Sequence, residues 1–218
     1  MVKTILYIHG MGGGGDSRIP SILNSRLGGY LPAGLEVRVI VRTYPFKPGD
    51  ASATISLWVE ELHPDLVIGE SLGSIHALAV KGVPHILVSP SLGAPRGLTI
   101  LSWLSLIPGM GVLFSKIWHP KEGDRQELLF DYGHLRGWML FRRKALDNSP
   151  RMGGRDYFFA FFGTRDHYRR LGVVSVRKWR KYFGKDSYRI YDGTHFMEEE
   201  YILSLLIPKI IQVLGIKS

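Results

Sequence analysis

The sequence predicts an α/β protein: a mostly parallel, twisted sheet of about six strands with helices on both faces, interrupted by one helical insertion. Two observations lead to this prediction. Short apolar runs alternate four times with helix-forming segments in the first part of the chain, and the alternation resumes near the carboxyl end. Such alternation is typical of a parallel sheet covered on both faces. At 218 residues, one domain over 1-218 is expected, with a cap or helical insertion at about 97-150.

Local hydrophobic patterns and turn residues predict the first two strand–helix units. The apolar run over 1–8 is too short for a signal peptide or a membrane span, so it predicts the first strand. A glycine-rich turn leads from it to a helix over 18–27. The run over 35–41 alternates as a strand does, and Asp50 or Ser52 is expected to open the next helix.

The next two strands flank a helix. The apolar run over 66–69 predicts a buried strand, and the helix-forming run over 72–81 follows at once. His76 on this helix is expected to be a surface histidine or one with satisfied hydrogen bonds. The run over 84–90 predicts the fourth strand.

The insertion begins with an uncharged segment over 97–115. Its length would allow a membrane span, but Pro108 and Gly109 break a single helix, which argues against one. We expect helices here and over 132–144 that either cap the active site or pack on the sheet. If they cap the site, the substrate has an apolar part, and Trp103 is a candidate substrate-binding residue.

The sheet then resumes with strands over 156–162 and 187–191, separated by a helix over 175–183. A final amphipathic helix is expected to start at Glu198. The chain therefore ends as it began, with strands and helices in alternation.

Ser71 is the candidate nucleophile. It lies in a Gly-x-Ser-x-Gly pattern between a predicted strand and a predicted helix, the context that a nucleophile elbow requires. Gly69 and Gly73 would let the chain turn sharply around it. The N–H of Leu72, at the start of the helix, would then point at a developing oxyanion.

The glycine-rich turn after the first strand is the candidate second half of the oxyanion hole. A phosphate-binding loop competes, but no Gly-Lys-Ser/Thr closes the run. We expect the N–H of Met11, or of a neighbouring glycine, to face that of Leu72. His9, Gly10 and Gly12 are expected to border the substrate.

A serine needs a base and a group that orients the base. Two later strand ends supply these types: Asp166 after the penultimate strand and His195 after the last one. Asp156 and Asp192 compete for the acid role. Asp156 starts a strand at the opposite edge of the sheet, and Asp192 is a more plausible turn former. The other candidate bases are His9, His76, His134 and His167.

These motifs together resemble a small, single-domain α/β-hydrolase-fold serine esterase. They are His9-Gly10, the Gly-x-Ser-x-Gly around Ser71, Gly163-x-x-Asp166 and Gly193-x-His195-Phe196, in the Ser…Asp…His order of that fold. The match covers the chain apart from the insertion. It implies that the second strand lies outside the first and that the first and third strands are neighbours, with a crevice at that switch point.

The charge of the chain is uneven. The net charge is +9, with 8 Lys/Arg against 7 Asp/Glu in residues 1–110 and 20 against 12 in residues 111–218. A basic face for nucleic acid, an anionic membrane or an acidic substrate competes with a simply solvated surface. The charges accompany no nucleic-acid-binding signature, so no nucleic acid is expected. The absence of cysteine fits a reducing compartment, and a cytoplasmic location is expected.

The expected function is hydrolysis of a small-molecule carboxylic ester or thioester through a Ser71–His195–Asp166 acyl-enzyme mechanism. Because no His/Asp cluster has ligand spacing, no metal or other cofactor is expected. The alternatives are a lipase that acts at lipid surfaces, a peptidase, and a non-catalytic binding module that uses the basic second half. Peripheral membrane contact belongs with the first of these.

Overall fold

A computed structural model describes residues 2–118 and 122–216. In these residues one sheet contains six strands, and all neighbouring strands are parallel. The predicted fold class is therefore confirmed. The strands are β1 (Val2–Ile8), β2 (Glu36–Val41), β3 (Leu66–Glu70), β4 (His85–Val88), β5 (Phe158–Gly163) and β6 (Tyr188–Tyr191).

The strand order is β2-β1-β3-β4-β5-β6. Tyr7 on β1 is in register with Val41 on one side and with Ile68 on the other. The expected neighbours, the first and third strands, are thus paired, and the chain reverses its direction of travel across the sheet at β1. At such a switch point the loops leave in opposite directions and a crevice opens at the carboxyl edge.

Ten α-helices surround the sheet in the described part of the chain. A π-helical segment, Ile202–Leu206, joins the last two into one continuous rod. The helices are α1 (Arg18–Arg26), α2 (Pro48–Leu62), α3 (Gly73–Ala79), α4 (Ala94–Leu104), α5 (Met110–Ile117), α6 (Tyr132–Leu135), α7 (Trp138–Leu146), α8 (Val176–Phe183), α9 (Glu199–Tyr201) and α10 (Ile207–Val213).

Each face of the sheet has its own hydrophobic core. Leu6 and Ile8 of β1 face the core that contains residues of α2, α3, α7 and α8, whereas Ile5 and Tyr7 face the core that contains residues of α1, the π-helical segment and α10. Successive side chains of a strand point to opposite faces. A strand covered on both faces needs apolar residues at every position, which explains the continuous apolar run over 5–8, the buried half of β1.

The start of α2 was predicted wrongly. The helix begins at Pro48, with Lys47 as its N-cap residue, rather than at Asp50 or Ser52. Proline suits the first helical position because it has no N–H to leave unpaired there. Asp50 instead lies in the first turn, where its negative charge favours the helix dipole.

The insertion forms α4 to α7. The segment over 97–115 is split: α4 ends at Leu104, and α5 begins at Met110 after Gly109, whose φ of 84° is left-handed, so the expected break is confirmed. The segment over 132–144, predicted as one helix, is two, because Gly137 with φ 93° separates α6 from α7. In the described ranges every helix is too short or too polar to traverse a lipid bilayer.

Candidate active site

Ser71 occupies the sharp turn between β3 and α3. Its φ is 50°, a left-handed conformation that costs energy in a residue other than glycine and that marks functional turns. The Ser71 N–H donates to the Val88 carbonyl at 2.9 Å, which holds the turn against β4. A Cβ on Gly69 would lie 2.7 Å from the Cβ of Ala77, and one on Gly73 would overlap the His9 carbonyl oxygen. Both positions therefore require glycine.

The structure brings Ser71, His195 and Asp166 together. His195 Nε2 lies 2.9 Å from Ser71 Oγ, and His195 Nδ1 lies 2.8 Å from Asp166 Oδ2. Asp166 also accepts the Tyr168 N–H at 2.9 Å through Oδ1. His195 and Asp166 are almost fully buried. This arrangement fixes the imidazole with one nitrogen on the carboxylate and the other on the hydroxyl, and the catalytic roles of the three residues stay predictions.

The rival acids lie elsewhere. Asp192 is exposed; it accepts a hydrogen bond from the Thr164 hydroxyl at 2.7 Å and forms an ion pair with Arg165 at 3.3 Å. Asp156 accepts the Gly82 N–H at 3.0 Å. Neither carboxylate has a hydrogen bond to His195 among the described residues.

Aromatic rings flank the imidazole. The ring centroids of Tyr168, Phe196 and His167 lie 4.6, 5.2 and 6.3 Å from that of His195. Tyr168 and Phe196 both meet it edge to face. These contacts limit how far His195 can rotate away from Ser71.

The glycine-rich loop approaches the nucleophile closely. A Cβ on Gly10 would lie 3.0 Å from the Cβ of Ser71, so a side chain there would press on the serine. Gly12, with φ 71°, donates its N–H to Gln126 Oε1 at 3.2 Å. The Gly12 N–H is therefore engaged, and it is not the donor that a substrate oxygen would meet.

Two backbone N–H groups at the loop and the elbow are available. In the residues that the structure describes, neither the Met11 N–H nor the Leu72 N–H donates a hydrogen bond. Leu72 is the N-cap residue of α3, where the helix dipole favours negative charge. Two unengaged N–H groups, one on the glycine-rich loop and one on the elbow, are what an oxyanion hole requires, and that role stays a prediction.

Sequence reasoning missed Ser91. Its hydroxyl oxygen lies 3.1 Å from Ser71 Oγ, and its N–H donates to the Ser71 carbonyl at 3.0 Å. Ser91 is buried and follows β4, the strand beside β3. Its position just after the neighbouring strand was the one clue in the sequence. The contact itself depends on the sharp turn at Ser89, with φ 47°, which brings Ser91 back to Ser71.

Gln126 was missed as well. Besides its bond to Gly12, its side-chain amide donates to the Tyr44 carbonyl at 3.1 Å and its N–H donates to the Gly13 carbonyl at 2.7 Å. It is buried although it comes from the insertion. The insertion therefore braces the loop that carries Met11.

Charged and titratable groups near the site are shielded from water. Burial raises the pKa of Glu70, whose carboxylate accepts the Tyr7 hydroxyl at 2.7 Å. Burial also lowers the pKa of His9 to about 4, so His9 is neutral at pH 7. Its ring stacks on Tyr44 at 4.3 Å between centroids, and its carbonyl accepts the Tyr44 hydroxyl at 2.5 Å. His9 thus supports the loop rather than acting as a base.

The prediction for His76 was wrong. The side chain is buried, and neither ring nitrogen has a hydrogen-bond partner in the described structure. Its ring packs against Tyr44, Trp138 and Phe141 at 5.3, 5.2 and 4.8 Å between centroids. The cause is α7, which covers the side of α3 that the sequence pattern left open to solvent.

Two further predicted residues lie outside this cluster. His134 pairs with Asp131 at 2.7 Å. Trp103 is 61% exposed on α4, and its ring contacts Tyr132. A role for Trp103 in substrate binding stays a prediction, unsupported by any contact to Ser71 within the described residues. Nor does the described part of the chain contain a group of three or more His, Asp or Glu residues that could hold a metal ion.

Known structures resemble this one, although the sequence matches no family model and no curated protein. A hydrolase from Pseudomonas aeruginosa PA01 has a TM-score of 0.59 at 14% identity, covering 98% of this chain and 90% of that one. Est1E from Butyrivibrio proteoclasticus, bound to ferulic acid, has a TM-score of 0.56 at 12% identity, covering 98% and 90%. A carboxylesterase structure from Nitrososphaera gargenis has a TM-score of 0.52 at 14% identity, covering 98% and 91%.

The chain has the α/β-hydrolase fold. The likeness spans nearly the whole length of both chains in each comparison. At these identities it shows the fold alone, and the reaction has to be argued from the side chains of the site.

Proposed function

We propose that the chain is a serine hydrolase that cleaves carboxylic ester or thioester bonds through an acyl-enzyme. The observation that carries the proposal is the continuous hydrogen-bonded path from Asp166 through His195 to Ser71, with heavy-atom distances of 2.8 and 2.9 Å. A general base must lie within hydrogen-bond reach of the nucleophile and be oriented by a third group. The strained φ of Ser71 supports the same role.

In the first half of the proposed reaction, Ser71 Oγ attacks the carbonyl carbon and His195 Nε2 takes the hydroxyl proton. Asp166 stabilises the imidazolium and keeps its ring in place. The N–H groups of Met11 and Leu72 bind the tetrahedral oxyanion. The C–O or C–S bond then breaks, and His195 returns the proton to the departing alcohol or thiol.

In the second half, water attacks the acyl-enzyme and gives a proton to His195. The intermediate collapses, the proton passes to Ser71 Oγ and the carboxylic acid leaves. Ser91 contacts Ser71 Oγ at 3.1 Å, so in the resting state it helps to hold the hydroxyl in one rotamer. Comparison proteins described as carboxylesterases and as lipolytic enzymes support hydrolysis of esters as the reaction class.

The test is covalent labelling by a fluorophosphonate probe together with hydrolysis of a short, soluble nitrophenyl ester. The wild-type chain should label and hydrolyse the ester, and Ser71→Ala should do neither. Ser91→Ala is the comparison variant: it removes a hydroxyl 3.1 Å away and leaves the proposed nucleophile, so it should still label, although more slowly than wild type because Ser71 loses a contact that holds its hydroxyl. Equal labelling of wild type and Ser71→Ala would contradict the proposal.

A lipase is the second candidate, and the exposed apolar residues of α4 and α5 favour it. A lipase should hydrolyse a long-chain ester faster once the substrate passes its critical micelle concentration. A rate that saturates below that concentration and stays flat above it would leave a soluble ester or thioester as the substrate.

A further inference from the structure

One helical hairpin of the insertion exposes an apolar surface. We call residues 94–117, which comprise α4, α5 and their connection, the apolar hairpin. Outside the hairpin, the described residues include only five large apolar side chains that are more than half exposed, and they are scattered from residue 57 to residue 196. Six such side chains lie within the hairpin: Ile100, Trp103, Leu106, Ile107, Val112 and Ile117.

The exposed side chains are not the inward face of the hairpin. Leu98 and Phe114 already point inward and are buried, and Phe114 packs on Phe130 with 6.4 Å between ring centroids. The hairpin therefore has apolar residues on both its buried and its solvent-facing sides, with no charged residue from 97 to 115. A concentration of exposed apolar side chains in one surface segment indicates an interaction site.

The helices around this patch carry positive charge only. Residues 94–117 and 132–146 contain six Lys/Arg and no Asp/Glu. The acidic residues between 94 and 146 all lie in the connection 122–131, where Asp131 is paired with His134.

Some of these cations lie next to apolar residues that face solvent. The Arg136 guanidinium lies 5.4 Å from the centroid of the Tyr132 ring, and the ring of Trp103 lies 5.4 Å from the same ring. On α7, Arg143 and Lys144 follow the exposed Leu140 by three and four positions, so they share its helix face.

We propose that the apolar hairpin docks the protein on an anionic phospholipid bilayer. The apolar side chains would enter the acyl-chain boundary, Trp103 would lie at the level of the headgroups, and the surrounding Arg and Lys side chains would contact lipid phosphates. The net charge of +9 attracts the whole chain to a negative surface.

Charge complementarity favours a bilayer over a second copy of the chain. A two-fold dimer through the hairpin would place the same surface of each copy against the other. Arg96, Arg136, Arg143 and Lys144 would then approach their own counterparts, and helices α4 to α7 offer no acidic partner for them. Anionic headgroups supply the missing charge.

Docking would place the proposed active site close to lipid. Helix α4 starts three residues after Ser91, whose hydroxyl contacts Ser71. Its eleven residues extend about 16 Å at the helical rise per residue. This consequence rests on the proposed function, whereas docking itself does not.

The test is co-sedimentation of the full chain with vesicles of phosphatidylglycerol and phosphatidylcholine, and with vesicles of phosphatidylcholine alone. We expect binding to the anionic vesicles at low salt, weaker binding at high salt and little binding to the neutral vesicles. The pair Leu106→Asp/Val112→Asp should weaken binding by at least about tenfold, because each carboxylate opposes entry into apolar lipid and repels the headgroups.

The matched control is the pair Leu57→Asp/Met152→Asp. It adds the same charge at two equally exposed apolar residues outside the hairpin, and its binding should stay within about twofold of wild type, since only its net charge differs. Far-UV circular dichroism would show that both pairs fold. Trp103→Phe should also remove much of the blue shift of tryptophan fluorescence that vesicles induce.

Four outcomes would overturn docking on an anionic bilayer. They are no binding to anionic vesicles at low salt, equal binding to neutral vesicles, equal loss in the control pair, and a dimer in lipid-free solution that the hairpin pair abolishes. Binding without ester hydrolysis would support docking and reject the proposed function. Hydrolysis of a soluble ester without vesicle binding would support the proposed function and reject docking.

Discussion

Lowering the pH from 7 to 5 should destabilise the fold, because three buried histidines are neutral in it. Burial lowers the pKa of His9 to about 4, of His76 to about 3 and of His85 to about 4. In the unfolded chain an imidazole has a pKa of about 6.5. Between these values the unfolded chain binds more protons than the folded one, so the free energy of unfolding falls as the pH falls.

The size of the effect follows from these pKa values. Between pH 7 and pH 5, each histidine removes about 2 kcal/mol from the free energy of unfolding, and the three together about 6 kcal/mol. Glu70 acts in the opposite direction, because burial raises its pKa and the folded chain then binds the extra proton. The measured loss should therefore be somewhat smaller, yet it is a large part of the stability of an ordinary domain.

Urea unfolding at pH 7, 6 and 5, followed by circular dichroism, measures this loss. The window ends at pH 5, where ordinary carboxylates are still mostly ionised in both states. His76→Phe keeps an aromatic ring among Tyr44, Trp138 and Phe141 and removes one titrating group. Its loss between pH 7 and pH 5 should be smaller than that of wild type by about 2 kcal/mol.

Ile75→Val on the same helix is the control. Ile75 is fully buried, so this variant loses stability by about 1 kcal/mol at every pH but keeps all three histidines. A wild-type stability that is equal at pH 5 and pH 7 would refute the reasoning. So would a His76→Phe variant that loses as much stability as wild type over this range.

Two substitutions test the site and its elbow. Asp166→Asn should lower kcat by about four orders of magnitude, whereas Asp192→Asn, at the exposed rival carboxylate, should leave kcat within about twofold of wild type. Steady-state ester hydrolysis measures both values. Equal losses of kcat in the two variants would contradict the assignment of Asp166 as the acid. Gly73→Ala should cost more than about 3 kcal/mol in urea unfolding, because its Cβ would overlap the His9 carbonyl. Gly28→Ala, which has open space around its Cβ, should be near neutral, and a Gly73→Ala variant as stable as wild type would show that the elbow is not tight.

The sheet could be predicted because its strands carry strong local signals. β3, β4, β5 and the second half of β1 are largely buried on both faces, which favours short apolar runs. The order of the strands came from the resemblance rather than from any run. Helix starts were less accurate where a proline, as at Pro48, competed with a side-chain cap further along.

The candidate triad could be predicted because each member follows the carboxyl end of a strand, and parallel strands bring those ends to one edge. Ser91 and Gln126 could not, because their roles depend on loop conformation. Ser91 returns to Ser71 only through the left-handed turn at Ser89, and Gln126 reaches Gly12 across 114 positions of sequence. Neither contact leaves a periodic signal.

The same limit explains His76. A prediction from amphipathic periodicity gives a helix one buried face and one solvent-exposed face. Helix α3 instead packs between the sheet and the helices α2 and α7, so six of its seven residues are buried. The burial of α3 by α7 is a tertiary contact, and the hydrophobic periodicity of the α3 sequence does not reveal it.

The insertion contributes to the candidate active site as well as to the proposed membrane-binding surface. Its connection 122–131 braces the glycine-rich loop: Gln126 binds Gly12, and the close approach of the Asp124 carbonyl leaves no room for a Cβ on Gly14. Its inner helix α7 buries Trp138 beneath α3. Because the exposed side chains of the apolar hairpin take no part in these contacts, substitutions there should change membrane binding without changing how Ser71 is held. A change in 122–131 should instead alter the glycine-rich loop that carries Met11, the proposed oxyanion donor.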